Sequence, residues 1–299
     1  MDRYLKRLKE IFGEDSFHFN KLSPFLEGSE MEREMNFVRN GKYIEDFLEF
    51  PPGLFLPIKG LSLLLKGYYS PKERQMNDMD LLVRPELFFD GLEILRKMGY
   101  RQLGRFNRYS YEISLVRDDF LKVDLHKNLF YPHLYRIDID EIFKNLKEIS
   151  FSGKKLFLLD DTFEILILVF SIINNGFNVP LLSFYDLIRV IKRGDVDLNL
   201  LREISLRWGI LRGLVLVNSL MYEVFGENFF ELKIKRDKRV KELLEILSKP
   251  IERKGIKWRK REFRYKFSLL PIKNQFFFFL YYFFRLKILS KVKGNFQAL

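Results

Sequence analysis

After its first quarter the chain reads Asn77-Asp78-Met79-Asp80-Leu81-Leu82-Val83, an apolar run that begins with two aspartates. The apolar residues predict a buried strand over residues 79–83. Because residues i and i+2 of a strand point to the same face, Asp78 and Asp80 should project together from its start. Two neighbouring carboxylates repel each other unless a cation lies between them, and hard oxygen ligands suit Mg²⁺ when phosphates complete the octahedron. The stretch therefore predicts metal-assisted phosphoryl or nucleotidyl transfer.

A third carboxylate lies on a second predicted strand, in the sequence Leu121-Lys122-Val123-Asp124-Leu125-His126. Strand alternation places its leucines and valine on one face and its three polar residues on the other. If this strand lies beside the first one, Asp124 can reach the same metal ion as the two aspartates there. The sequence therefore predicts a cluster of three carboxylates.

A turn that could bind phosphate precedes both strands. Lys59 and Gly60 follow a predicted strand over residues 54–58 and stand at the start of a predicted helix. A helix N-terminus, backbone N–H groups and a lysine ammonium together favour phosphate. We therefore expect this turn to steady the phosphates of a nucleotide. The alternative is that Lys59 is a solvated lysine at the end of the strand.

These motifs resemble those of the polymerase β-like nucleotidyltransferase superfamily: a glycine at the start of a helix, then Asp-x-Asp on a strand, then a third aspartate on a later strand. More narrowly, the chain resembles a family of largely uncharacterised bacterial nucleotidyltransferases. The residues that carry this resemblance are Ile58-Lys59-Gly60, Tyr68 or Tyr69, Arg74, Asp78-Met79-Asp80-Leu81-Leu82-Val83, Asp124-Leu125-His126 and Phe184-Tyr185-Asp186-Leu187-Ile188. The likeness covers roughly residues 50–226.

The resemblance implies transfer of a nucleoside monophosphate from an NTP to an acceptor hydroxyl, with release of pyrophosphate. Asp78 and Asp80 would bridge two Mg²⁺ ions, for which Mn²⁺ could substitute, and Asp124 would complete the site of the ion that activates the acceptor. The implied nucleotide-binding residues are Lys59, Gly60, Ser62 and Arg74. His126 is a candidate substrate-binding residue, with two alternatives: it could orient the third aspartate, or be a satisfied polar residue of the strand. The acceptor itself stays open between a small molecule, RNA and protein.

Two other functions remain open. The chain could be a non-catalytic adaptor that binds RNA or a membrane surface and keeps the nucleotidyltransferase fold only as a degenerate scaffold, because a fold does not fix a function. It could also be a toxin that modifies tRNA or a protein. The presence of all three carboxylates favours an enzyme. An ion pair or structural hydrogen bond is the role expected for Asp186, which lies within a predicted helix.

Chain breakers and hydrophobic periodicity predict an α+β protein in three parts. Residues 1–50 form an N-terminal helical segment, residues 51–150 a small mixed-sheet nucleotidyltransferase core, and residues 151–299 an all-helical domain with a basic, aromatic C-terminus. Strands are predicted over residues 54–58, 79–83, 111–116 and 120–125. Helices of the last part are predicted over residues 162–175, 181–193, 197–208 and 211–225.

The composition excludes some chemistries and concentrates positive charge in one region. The chain has no cysteine, which excludes disulfides, thiolate zinc sites and cysteine nucleophiles, and its three histidines argue against a histidine-rich metal centre. Residues 233–299 contain 20 Lys and Arg against 5 Asp and Glu. Such a region favours RNA or an anionic membrane surface as partner. The alternative is a set of solvated, lysine-rich helices.

An aromatic run over residues 276–284 is too short to span a bilayer. Aromatic residues beside lysines and arginines are typical of a helix at a membrane interface, but a terminal helix packed on the helical domain fits equally well. Residues 1–10 are charged and lack the apolar core of a signal peptide. We therefore expect a cytoplasmic protein without a transmembrane segment, with peripheral membrane association as the alternative.

Overall fold

The structure is a computed structural model. It describes residues 29–104, 110–119, 121–130, 134–236 and 238–247, together with Leu269 and Gln275. The predictions made for residues 1–28 and for the aromatic run over residues 276–284 lie outside the described residues.

A mixed sheet of five strands forms the core of the first half. Its strands are β1 (Leu56–Ile58), β2 (Met79–Leu82), β3 (Arg101–Gln102), β4 (Glu112–Val116) and β5 (Lys122–His126). They lie in the order β1-β2-β5-β4-β3, in which β2 and β5 are parallel and the other neighbours antiparallel. The predicted α+β class with a small mixed sheet is confirmed. Pro57 is tolerated because β1 is an edge strand, where a missing N–H group costs little.

Alternating burial gives the sheet one polar face. Val123 and Leu125 of β5 are fully buried, whereas Asp124 between them is partly exposed. In the parallel ladder Asp80 of β2 pairs directly with Asp124 of β5. Since paired residues of neighbouring strands point to the same side of a sheet, both carboxylates project from this face. The side-by-side strands expected from the sequence are therefore present.

Helix α1 (Glu30–Leu48) supports the strands that carry the carboxylates. Ser29 and Glu32 form a capping box that fixes its first turn. The Tyr43 hydroxyl donates to the carbonyl oxygen of Asn77 at 3.1 Å and accepts from the backbone N–H of Lys122 at 3.3 Å. One buried tyrosine thus joins the start of β2 to the start of β5.

Short helices connect the strands on the way to the second half of the chain. These are α2 (Gly60–Leu65), α3 (Phe88–Lys97) and α4 (Ile139–Lys144). Strands β4 and β5 form a hairpin, in which they pair antiparallel from Glu112 opposite His126 to Val116 opposite Lys122.

A second hairpin, β6 (Leu146–Phe151) and β7 (Lys154–Leu159), does not follow from the predicted elements. Ser152 and Gly153 turn it with φ angles of 49° and 77°, the left-handed geometry of tight hairpin turns. The hairpin packs against β1, and the Lys154 ammonium donates to the Leu48 carbonyl oxygen at 2.7 Å. Residue 150, at which the sequence predicts the domain boundary, lies within β6.

Helices follow the second hairpin. They are α5 (Asp161–Asn174), α6 (Leu182–Arg193), α7 (Leu198–Trp208), α8 (Leu211–Phe225) and α9 (Lys238–Leu247). The four helices predicted between residues 162 and 225 are confirmed, and the side chains of Asp160 and Asp197 cap the first turns of α5 and α7. Periodicity does not predict α4 or α9. Of the helices described, none is both long and apolar enough to cross a membrane.

Candidate active site

A cavity of about 770 Å³ lies between the polar face of the sheet and helices α5 and α6. The predicted site residues that line it are Lys59, Gly60, Arg74, Asp78, Asp80, Asp124 and His126. The helices contribute a second wall of apolar, amide and hydroxyl side chains that the motifs do not reveal. This wall includes Ile167, Phe170, Asn174, Leu182 and Ser183. The tertiary fold therefore brings the predicted cluster together and closes it with the helical half.

Asp80 is the most buried carboxylate of the cluster, with 12% of its side chain exposed. Its Oδ1 atom lies 2.7 Å from the Lys59 ammonium and 2.9 Å from His126 Nε2. Burial by itself would raise the pKa of Asp80, but the charge of Lys59 and the hydrogen bond to His126 outweigh it and hold the pKa well below its ordinary value. Asp80 is therefore ionised at neutral pH.

Asp78 and Asp124 share a lysine. The Lys122 ammonium lies 3.2 Å from Asp78 Oδ2 and 2.7 Å from Asp124 Oδ2. Burial and then the charge of Asp80 raise the pKa of Asp78 above its ordinary value. Burial opposes the charge of Lys122, but the hydrogen bond and charge of Asp124 outweigh it, so the pKa of Lys122 is also raised. The three aspartates thus carry mutual repulsion that two lysines offset.

His126 contacts Asp80 and not Asp124. Its other ring nitrogen, Nδ1, lies 3.2 Å from Glu112 Oε2, close enough for an ion pair but without the alignment of a hydrogen bond. Glu112 faces His126 because the two residues are paired in the β4–β5 ladder. Glu112 is a site residue that the motifs miss, and its only signal in the sequence is its place in the register. The alternative that His126 orients the third aspartate is not supported by this geometry, because the ring contacts Asp80 instead.

Lys59 and Gly60 form a tight turn beside the aspartates. Lys59 has a φ angle of 55°, in a sparsely populated left-handed region. For a residue other than glycine, this conformation costs about 1–3 kcal/mol of strain. Burial opposes its charge, but Asp80 outweighs burial and raises the pKa of Lys59. A Cβ atom on Gly60 would lie 2.3 Å from Arg74 Nη1 and 3.0 Å from the Met76 side chain. Gly60 is therefore required for the close approach of the Arg74 guanidinium.

Arg74 is held by a buried carboxylate of helix α6. Its Nε and Nη2 atoms donate to the two oxygens of Asp186 at 3.1 and 2.8 Å. The side chains of the two residues are only 10% and 3% exposed. The structural ion pair expected for Asp186 is confirmed, and it joins the loop before β2 to the helical half. Arg74 still lines the cavity, with Nη1 turned toward Gly60.

Ser62 does not line the cavity, so the predicted phosphate contact is not supported by its position. Its side chain is fully buried, and its hydroxyl donates to Glu164 of α5 at 2.5 Å. Lys66 lies 3.2 Å from the same carboxylate and 2.9 Å from Asp161. The physical reason is that helix α2 turns Ser62 toward α5, where a buried glutamate needs a donor. Ser62 therefore fastens α2 to the helical half.

The aspartate cluster has the donor chemistry expected for a hard divalent cation. Three carboxylates line the cavity, and Mg²⁺ prefers oxygen ligands of this kind. Asp124 Oδ1 is buried and has no hydrogen-bond partner among the described residues. Within the described residues, no three acidic or histidine side chains already converge as a metal site. Lys59 and Lys122 instead lie against the carboxylates.

Comparison with known proteins identifies one family. The family described as "Uncharacterised nucleotidyltransferase" matches residues 44–226. None of the curated proteins compared with the chain matches it.

Several solved structures show distant similarity. The lincosamide antibiotic adenylyltransferase LnuA, bound to lincomycin, is 12% identical with a TM-score of 0.35; the match covers 51% of this chain and 94% of that one. An antigenic nucleotidyltransferase-like protein from Paracoccidioides brasiliensis is 16% identical with a TM-score of 0.30, over 54% and 75% of the two chains. The Megavirus polyadenylate synthase is 12% identical with a TM-score of 0.31, over 82% and 53%. With scores this low, the family match alone carries weight.

Proposed function

The chain belongs to the family of uncharacterised nucleotidyltransferases, and on that premise we propose that it transfers a nucleoside monophosphate from an NTP to an acceptor hydroxyl. The family membership confirms the resemblance seen in the sequence. The observation that carries the proposal is the direct pairing of Asp80 with Asp124 on parallel strands, with Asp78 at the start of the same face. This arrangement would concentrate negative charge where a nucleotide and its cations react.

Asp78, Asp80 and Asp124 would hold two Mg²⁺ or Mn²⁺ ions, which when bound neutralise the triphosphate and make the acceptor hydroxyl easier to deprotonate. The fit rests on the all-oxygen donor set and on the buried Asp124 Oδ1 atom, which lacks a partner among the described residues. The proton that leaves the acceptor hydroxyl passes to water. His126 contacts Asp80 and is itself contacted by Glu112, so that the ionised carboxylate of Asp80 keeps one orientation.

In the proposed reaction the acceptor oxygen forms a bond to the α-phosphorus while the bond from that phosphorus to the pyrophosphate oxygen breaks. No covalent intermediate on the protein is needed, because positioning and charge stabilisation supply most of the rate. Lys59 and Arg74 flank Gly60, and together they offer positive charge to the phosphates. The glycine matters because it lets the guanidinium approach the turn.

The cavity volume of about 770 Å³ is within the usual range of small-molecule sites. The wall of Ile167, Phe170, Asn174, Leu182 and Ser183 offers apolar and hydrogen-bonding surface for the uncharged parts of the substrates. The acceptor stays open between a small molecule, RNA and protein. An RNA-binding or membrane-binding role of residues 233–299 concerns a region that lies mostly outside the described residues.

The proposal is tested by incubating the protein with each of four α-³²P-labelled NTPs, Mg²⁺ or Mn²⁺ and a matched cell extract, and following the label. We expect the label to move from one NTP to an acceptor, with equivalent release of pyrophosphate. Asp80→Asn keeps the shape of the side chain but removes its charge, so it should lower transfer at least about a hundredfold while the protein stays folded.

Asp118→Asn is the matched control, because Asp118 is an exposed aspartate in the turn between β4 and β5. It should transfer label as the natural protein does. Equal transfer by the natural protein and Asp80→Asn would contradict the assigned role of Asp80. If no NTP yields a labelled product, the proposed reaction is wrong.

A further inference from the structure

Lys122 is a charged residue of the cavity that the nucleotidyltransferase motif does not assign. It lies two residues before Asp124 on β5, so strand alternation turns both side chains to the same face. Its backbone is fixed by pairing with Val116 of β4 and by the hydrogen bond to Tyr43. The strand itself, and not a loop, therefore positions the ammonium beside the carboxylates.

The ammonium contacts two of the three proposed metal ligands at once. It lies 2.7 Å from Asp124 Oδ2 and 3.2 Å from Asp78 Oδ2, and 33% of the lysine side chain is exposed. A divalent ion shared by these two aspartates needs oxygens at about 2.0–2.6 Å and thus the space between them. An ammonium and a metal ion cannot both be there. The second lysine of the cavity, Lys59, contacts Asp80 and leaves this space alone.

We propose that Lys122 competes with the divalent cation for Asp78 and Asp124, so that the natural protein holds this ion weakly when no substrate is bound. The inference rests on the proposed function, because it concerns the metal ligands of the same site. Metal binding must first break both ammonium–carboxylate contacts. The flexible stem of a lysine lets its charge move away without a change in the strand. Lys122 thereby sets how readily the site takes up its metal.

A purely structural lysine would behave differently. If Lys122 only offsets repulsion between the aspartates, its loss would lower the stability of the fold and leave ion affinity unchanged or reduced. If it competes with the ion, its loss would increase ion affinity. Affinity for a metal ion therefore separates the two roles, and it does not depend on turnover.

The test measures binding of Mn²⁺ alone to the full-length protein, by the loss of the electron paramagnetic resonance signal of the free ion. Lys122→Met retains the length of the side chain and removes the charge, and we expect it to bind Mn²⁺ at least about tenfold more tightly than the natural protein. Lys122→Arg keeps the charge and should bind as weakly as the natural protein. Lys155→Met, which removes a charge from an exposed lysine of the second hairpin, controls for net charge and should also bind weakly.

The proposal is overturned if Lys122→Met binds Mn²⁺ no more tightly than the natural protein, or if Lys122→Arg binds it as tightly as Lys122→Met. It is also overturned if no variant binds the ion. Urea unfolding of each variant shows whether the protein under test is folded. Transfer of label by the natural protein reports separately on the proposed function, which stands if Lys122 proves to be only structural.

Discussion

Loss of Asp186 should expose how strongly the buried pair with Arg74 joins the two halves of the molecule. Asp186→Ala removes both acceptors of the guanidinium and leaves a cation that is 10% exposed without its carboxylate. Removing one partner of a buried ion pair costs about 3–5 kcal/mol, because the other charge stays desolvated. Arg74 keeps its contact with the ring of Tyr69, whose centroid is 6.0 Å away. We therefore expect the free energy of unfolding to fall by about 3 kcal/mol, at the lower end of this range.

Urea unfolding followed by tryptophan fluorescence measures this loss, since Trp208 is buried in the helical half. Asp118→Ala is the matched control, because its carboxylate is 86% exposed, and it should change stability by no more than about 0.5 kcal/mol. The double variant Arg74→Met with Asp186→Leu should recover part of the loss, because it replaces the pair by apolar side chains and leaves no unpaired charge.

The reasoning is refuted if Asp186→Ala costs less than about 1 kcal/mol, a value expected of an exposed ion pair. It is also refuted if the effects of Arg74→Met and Asp186→Leu simply add, since residues that form a buried pair should show a coupling energy. Either result would mean that Arg74 does not depend on Asp186, and the guanidinium would then be available for other contacts in the cavity.

Two further predictions concern charged residues near the cavity. Lys59→Ala should weaken binding of an NTP more than binding of the bare nucleoside, because a lysine acts on phosphate as a point charge. Calorimetric titrations measure both affinities. Equal losses of affinity for the two ligands would mean that Lys59 has only a structural role. Burial raises the pKa of Glu164 against the opposing effects of Lys66 and Ser62, so the stability that it contributes is fully present below the ordinary pKa of glutamate and is lost as the pH rises through the raised value. Relative to Glu164→Gln, the natural protein should therefore become less stable as the pH rises from about 4. A difference in unfolding free energy that is constant with pH would contradict this.

Local patterns predicted the elements that carry the carboxylates. An apolar run located β2, and alternation of apolar and polar residues marks β4 and β5, because one face of each of these two strands is buried. Helical periodicity located the helices of the second half. The second hairpin was not predicted, since its strands are mostly exposed and only the Ser152-Gly153 turn marks it.

The sequence by itself determined that Asp78 and Asp80 would share one face and that Asp124 would lie on the polar face of its own strand, because strand geometry turns residues at even spacing to the same side. The tertiary structure placed the two strands side by side, with Asp80 opposite Asp124. Only the tertiary structure decided what the neighbouring polar residues do. Arg74 pairs with Asp186, which is 112 residues away in the sequence, and Ser62 donates a hydrogen bond to Glu164, which is 102 residues away. These partners lie on helices α6 and α5, whose positions depend on packing over the whole core. A buried polar group must form hydrogen bonds with the groups that packing brings close to it. The spacing of residues along the chain does not predict which groups those are.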